Sequence, residues 1–106
     1  RLPLNCKRLD FSKFLTLEFK NPDVKKFPCI TLAYEVLKKG GNAACVMNAA
    51  NEIAVDAFLT DKIKFLQIAE IIEKTLNKAT FIKNPDINDY IATDIEARTI
   101  AKELII

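Results

Sequence analysis

Phe27-Pro28-Cys29-Ile30-Thr31-Leu32-Ala33 leads through Gly40-Gly41 to Asn48-Ala49-Ala50-Asn51-Glu52-Ile53-Ala54-Val55, and this stretch decides the fold. Pro28 suits the first turn of a helix, where its missing N–H is no loss. Ile30, Ala33, Tyr34 and Leu37 then fall at i, i+3, i+4 and i+7 and predict the apolar stripe of a first helix. Lys38 and Lys39 occupy its last turn, where the helix dipole favours cations, and Gly40-Gly41 supplies a left-handed cap. Asn42 is the expected N-cap of a second helix, with Val46, Met47, Ala50, Ile53, Ala54, Ala57 and Phe58 on one broad stripe. So many alanines permit close approach of neighbours, which marks this as the central helix. From Asn42 to Leu59 it would span roughly 25 Å at the α-helical rise.

Towards the carboxy terminus the helical period continues. Thr60, Asp61 and Lys62 make a turn, and Ile63-Lys64-Phe65 is a brief extended link. A third helix is expected from about Leu66 to Ala79, with Phe65, Ile68, Ala69, Ile72, Leu76 and Ala79 inward and no good cap at its start. Asn84-Pro85-Asp86 with Asp89 three residues on is a turn followed by a capping-box spacing. The last helix is predicted to run to about Leu104, with Ile87, Ile91, Ile95, Ala101, Leu104 and Ile105 as its apolar series. Amphipathic helices joined by short links bury their stripes against one another. The predicted fold is therefore mainly α, a compact bundle-like domain of four helices over residues 28–106.

Residues 1–27 read differently. Pro3, Pro22 and Pro28 exclude a long helix, while Leu15, Leu17 and Phe19 alternate with Phe14, Thr16 and Glu18 at the period of a strand. The expectation is an extended arm carrying one short strand, whose backbone groups need a partner. In an isolated chain the arm is expected either to be disordered or to order itself by pairing with, or swapping onto, a second copy.

Composition narrows the function. Half of the 106 residues are hydrophobic and only two are glycine, as for a chain with a packed core. The charge is +2, with lysines and acids interspersed, and Lys25-Lys26 and Lys38-Lys39 read as solvated segment ends. No nucleic-acid footprint is expected. No apolar run approaches the ~20 residues of a membrane span, and no signal-peptide pattern is visible. Cys6, Cys29 and Cys45 are odd in number, without a CxxC pair, and the chain has no histidine. They read as small buried hydrophobes in a reducing, cytoplasmic compartment rather than as zinc ligands. A first residue of arginine points to a truncated or trimmed polypeptide.

Two polar constellations bear on chemistry. Asn48, Asn51 and Glu52, with Asp56 one turn on, share a helix face. Glu52 and Asp56 could form half a divalent-metal site, but helical di-metal sites pair carboxylates with histidine. The preferred reading is structural: Asn48 and Asn51 hydrogen-bond the arm or a neighbouring turn. Asp94 and Arg98 form an i, i+4 pair near the last helix's apolar stripe, again read as structural because no nucleophile or second titrating group accompanies them. There is no G-x-G-x-x-G, no P-loop and no G-x-S-x-G. Ser12 is the only serine and has no histidine to activate it. No catalytic, cofactor-binding or metal-binding residue is assigned.

The order and spacing of several segments resemble the 1-deoxy-D-xylulose 5-phosphate reductoisomerase family. They are Leu9-Asp10-Phe11, Leu17-Glu18-Phe19, Pro22-Asp23 leading into Phe27-Pro28, Gly40-Gly41, Asn48 to Val55, Phe58-Leu59, Ile63-Lys64-Phe65 with Ile68, and Asp94 with Ala97-Arg98. Ala44 and Leu66 depart from the family, which commonly has proline and a small polar residue there. Both departures concern helix entry. The resemblance implies an enzyme of isoprenoid-precursor synthesis, the methylerythritol phosphate pathway. It would convert 1-deoxy-D-xylulose 5-phosphate to 2-C-methyl-D-erythritol 4-phosphate with NADPH and a divalent metal, magnesium or manganese. Residues 1–27 would be its connecting segment and 28–106 its carboxy-terminal helical domain. The amino-terminal NADPH-binding and catalytic domains would be missing partners, the whole enzyme a homodimer, and this chain alone inactive. The rival expectation is a free-standing helical module that binds a partner protein. A carboxylate-metal enzyme is a distant third.

Overall fold

In the computed structural model, which describes residues 3–106, four α-helices follow in chain order: α1 Cys29–Lys39, α2 Ala43–Leu59, α3 Phe65–Lys78 and α4 Ile87–Ile105. α2 is central, packing against each of the other three, and α3 also packs on α4. The core gathers Leu32 of α1, Ala50, Ala54 and Ala57 of α2, Ile63 of the link, Ile68, Ile71 and Ile72 of α3, and Ala101 of α4. Ile72, Ala50, Ala54 and Ala101 are fully excluded from solvent. A mainly α, four-helix architecture is thus what the sequence folds into.

The helix ends follow local chemistry. Pro28 is the N-cap of α1, and Gly40, at φ +68°, returns its N–H to Val36 O at 3.0 Å. α2 ends with Asp61 in the left-handed region (φ 59°); Lys62 N–H reaches Ala57 O at 2.8 Å and Asp61 N–H reaches Phe58 O at 3.1 Å, a Schellman closure. α3 begins at Phe65, and its start is capped after all: Gln67 Oε1 accepts from Lys64 N–H at 2.7 Å. At α4, Asp86 and Asp89 form the reciprocal capping box, with N–H···O distances of 2.8 and 3.0 Å.

Two predicted stripes are displaced. In α1 the buried residues are Leu32 and Val36, with Cys29 half-buried, while Ala33, Tyr34 and Leu37 are exposed. In α4 the expected Ala101 is buried and Leu104 and Ile105 pack on the core, but Thr93 and Ala97 take the inner positions of the first half, while Ile87, Ile91 and Ile95 face solvent. The cause is close packing. α2 presents Val46 and Ala49 to Ala97, and an alanine-lined contact leaves room for small residues from α4 but not for isoleucine.

The arm also differs from expectation. Among the described residues no strand occurs, and every residue from Pro3 to Phe27 is exposed. An alternating pattern makes a strand only where a second strand completes its ladder, and none adjoins Phe14 to Phe19. The arm is instead punctuated by side-chain turns: Ser12 N–H and Oγ–H donate to Asp10 Oδ1 at 3.0 and 2.6 Å, and Lys25 N–H donates to Asp23 Oδ1 at 3.0 Å. The radius of gyration, 18.1 Å, exceeds the ~13 Å of a compact domain of this length because the arm reaches out from the bundle.

Candidate functional site

The face of α2 opposite its buried alanines carries Asn48, Asn51 and Glu52, all exposed. Positions i, i+3 and i+4 share a helix face, so the run that is most distinctive in the sequence also forms one surface patch. Glu52 Oε2 accepts from an Arg98 guanidinium nitrogen at 2.7 Å, while Arg98 Nε donates to Asp94 Oδ2 at 2.8 Å. Asn48 Nδ2 donates to the other Glu52 oxygen at 3.2 Å. The Asp94–Arg98 pair expected from spacing is therefore present, and it is bound to the asparagine run. Nothing in the sequence signals that link, because Glu52 and Arg98 are 46 positions apart.

The electrostatics fix protonation states. Hydrogen bonding to Arg98, then its charge, holds the Glu52 carboxyl below its usual range, and the two carboxylates raise the already high pKa of Arg98. An anion and a cation locked in this way do not exchange protons near neutrality. They position elements rather than act as acid and base. Of the three cysteines expected to be buried, Cys6 is exposed on the arm and Cys29 and Cys45 are half-buried, where burial pushes their thiols upward, away from the reactive thiolate.

Asn48 and Asn51 do not tie down the arm or a turn. Asn48 bonds within its own helix, and Asn51 makes no side-chain hydrogen bond among the described residues. An extended arm that leaves the bundle offers them no backbone to hold. The buried polar role falls to Asn42, which is completely excluded from solvent. Its Nδ2 donates to Thr80 O and Thr93 Oγ1, each at 2.9 Å, and its Oδ1 accepts from Ile82 N–H at 2.9 Å. Its own N–H donates to Ile82 O at 3.0 Å. Asn42 thus joins the start of α2 to the α3–α4 connection and to α4, instead of capping α2 through its side chain. Beside it, Gly41 (φ +56°) is packed so closely that a Cβ would collide with Ile82 O and lie 2.8 Å from Phe81 Cε2.

These residues do not fit a nicotinamide cofactor or a divalent metal. The only glycines form a turn filled by Phe81 and Ile82, which leaves no backbone cradle for a pyrophosphate. Glu52 and Asp94 are engaged by Arg98, and no cluster of three metal-ligating side chains occurs among the described residues. No described helix is long and apolar enough to cross a membrane.

Comparison with known proteins places this architecture. The family model described as the DXP reductoisomerase C-terminal domain matches residues 1–100. The chain belongs to the 1-deoxy-D-xylulose 5-phosphate reductoisomerase family, as its carboxy-terminal domain. It is 50% identical over 105 residues to the reductoisomerase of Bacteroides fragilis and 46% identical over 101 residues to that of Acetivibrio thermocellus. These alignments take in 99% and 95% of this chain but 27% and 26% of those relatives. The chain thus spans about a quarter of their length. Among solved structures, the Zymomonas mobilis reductoisomerase in complex with NADPH superposes with a TM-score of 0.80 at 48% identity, over 99% of this chain and 28% of that one. The reductoisomerase reading therefore stands over the free-standing interaction module.

Proposed function

We propose that this chain supports the fold of a reductoisomerase whose chemistry is performed by parts of the polypeptide outside it. The reaction would be the NADPH-dependent conversion of 1-deoxy-D-xylulose 5-phosphate to 2-C-methyl-D-erythritol 4-phosphate, with magnesium or manganese. One observation carries the reading: nearly the whole of this chain matches its relatives, yet its carboxylate–arginine network joins α2 to α4. Residues 28–106 serve as the structural domain and residues 1–27 as the segment that connects it to the cofactor-binding and catalytic domains. The whole enzyme is a cytoplasmic homodimer of bacterial type, and in the isolated chain the apolar arm favours self-association. The membership in the family and the unpaired cysteines support this setting.

A fluorescence titration with NADPH tests the division of labour. The 106-residue chain alone gives no saturable signal, whereas the longer polypeptide that ends in this sequence saturates. Saturable binding by the chain alone would overturn the reading.

A further inference from the structure

We propose that in the isolated chain the groove between α1 and α3 is the seat for the arm of a second copy, entered by its Leu15, Leu17 and Phe19. The inference rests on the reading that the arm drives self-association, and it names the surface that receives the arm.

The groove has a volume of about 820 Å³. Leu32 of α1 and Leu66 and Ala69 of α3 give it an apolar lining, and Leu66 is 67% exposed. Glu35 stands on the α1 wall, Glu70 and Glu73 on the α3 wall. These three carboxylates make no ion pair among the described residues. An apolar trough with unpaired acids at one end suits a segment that is apolar and carries a cation at the matching end. The arm is such a segment. As extended backbone, residues 13–19 put Lys13, Leu15, Leu17 and Phe19 on one side. The three apolar members are 77% to 90% exposed. Leu15 to Phe19 covers ~13 Å at the strand rise, and Lys64 to Glu73 covers the same ~13 Å at the helical rise. With Phe19 over Leu66, Lys13 comes to the acidic end of the groove, opposite Glu35 and Glu73. Side chains make the contact, so the arm's backbone groups keep their hydrogen bonds to water.

The chain's own arm leads away from this groove. Pro22 disfavours a helical conformation at Asn21, and Asp23 fixes the turn that follows. Its Oδ1 accepts from Lys25 and Lys26 N–H at 3.0 and 3.3 Å, and its C=O accepts from Phe27 N–H at 2.9 Å. Val24, Lys25 and Pro28 are thereby held as one end of the groove itself. With its exit set in this way the arm projects from the bundle, and the molecule reaches 52 Å in its longest dimension. The occupant is therefore the arm of another copy, exchanged reciprocally.

Sedimentation equilibrium and carbodiimide cross-linking of the 106-residue chain, with light and heavy isotope-labelled copies mixed, test the seat. It predicts a dimer whose cross-links join Lys13 of one copy to Glu35, Glu70 or Glu73 of the other. Lys13→Glu weakens that dimer about tenfold, and adding Glu73→Lys to it restores the parent's association. Leu17→Asp abolishes the dimer. The altered positions are exposed, so the bundle itself is unchanged in each variant. A dimer cross-linked elsewhere, or not rescued by the charge exchange, would overturn the seat and leave self-association standing. A monomer at every concentration, with its cross-links inside one copy, would overturn both.

Discussion

Asn42 concentrates into one side chain what joins three parts of the domain. Replacing it by alanine removes one buried hydrogen bond, to the Thr93 hydroxyl, and two half-buried ones, to Thr80 C=O and Ile82 N–H, and is expected to cost about 2–3 kcal/mol. Denaturant unfolding of the variant checks this. Asn51→Ala, at an exposed position, is expected to change stability by less than about 0.5 kcal/mol in the same measurement. The sequence suggested the reverse emphasis, because Asn42 precedes a helix and looks like a cap, whereas the partners that bury it lie 38 to 51 positions away. Asp94 with Arg98 was legible because i, i+4 spacing is local; Glu52 as the third member was not. Glu52 also gives a pH prediction. Its folded-state pKa lies below the ordinary 4.5, so its pairing stabilises the fold above that value and is lost as pH falls through the lowered folded value. Glu52→Gln removes this contribution and is expected to show a shallower acid-side loss of melting temperature than the parent below about pH 4.5.

At the level of the element, helix ends were easier to read than helix faces. Gly40, Asp86 with Asp89, and the turn at Thr60 to Lys62 act through neighbours in the chain, and each lies where the sequence put it. The α3 start was missed because its cap comes from Gln67 reaching backward to Lys64 N–H, not from the preceding side chain. The Asp86 cap is expected to contribute about 1 kcal/mol, checked by thermal unfolding of Asp86→Ala. Faces depend on what packs opposite. Apolarity favoured Ile87, Ile91 and Ile95 with Ala101, Leu104 and Ile105 as the inner stripe of α4; the second half packs inward as expected, but in the first half Thr93, bonded to Asn42, and Ala97, against Val46 and Ala49 of α2, take the inner positions. α3, which packs isoleucines into the core, matched its predicted stripe at Ile68, Ala69 and Ile72.

At the scale of the molecule, the bundle is closed around α2 and the arm is open. The arm's Phe11, Phe14, Leu15, Leu17 and Phe19 are at least 57% exposed, and its hydrogen bonds are confined to local turns. Its apolar alternation was legible, but the absence of a ladder was not, because pairing is a property of what lies beside a segment. Amide exchange of the isolated chain is expected to be fast over residues 3–26 and slow in the core of α2 and α3. The central claim is that this domain carries no reaction by itself. Its most direct test is NADPH oxidation dependent on 1-deoxy-D-xylulose 5-phosphate, with magnesium or manganese present, measured side by side for the 106-residue chain and for the longer polypeptide that ends in it. The account predicts turnover by the longer polypeptide and none by the chain. Substrate-dependent turnover by the chain at a comparable rate would contradict it.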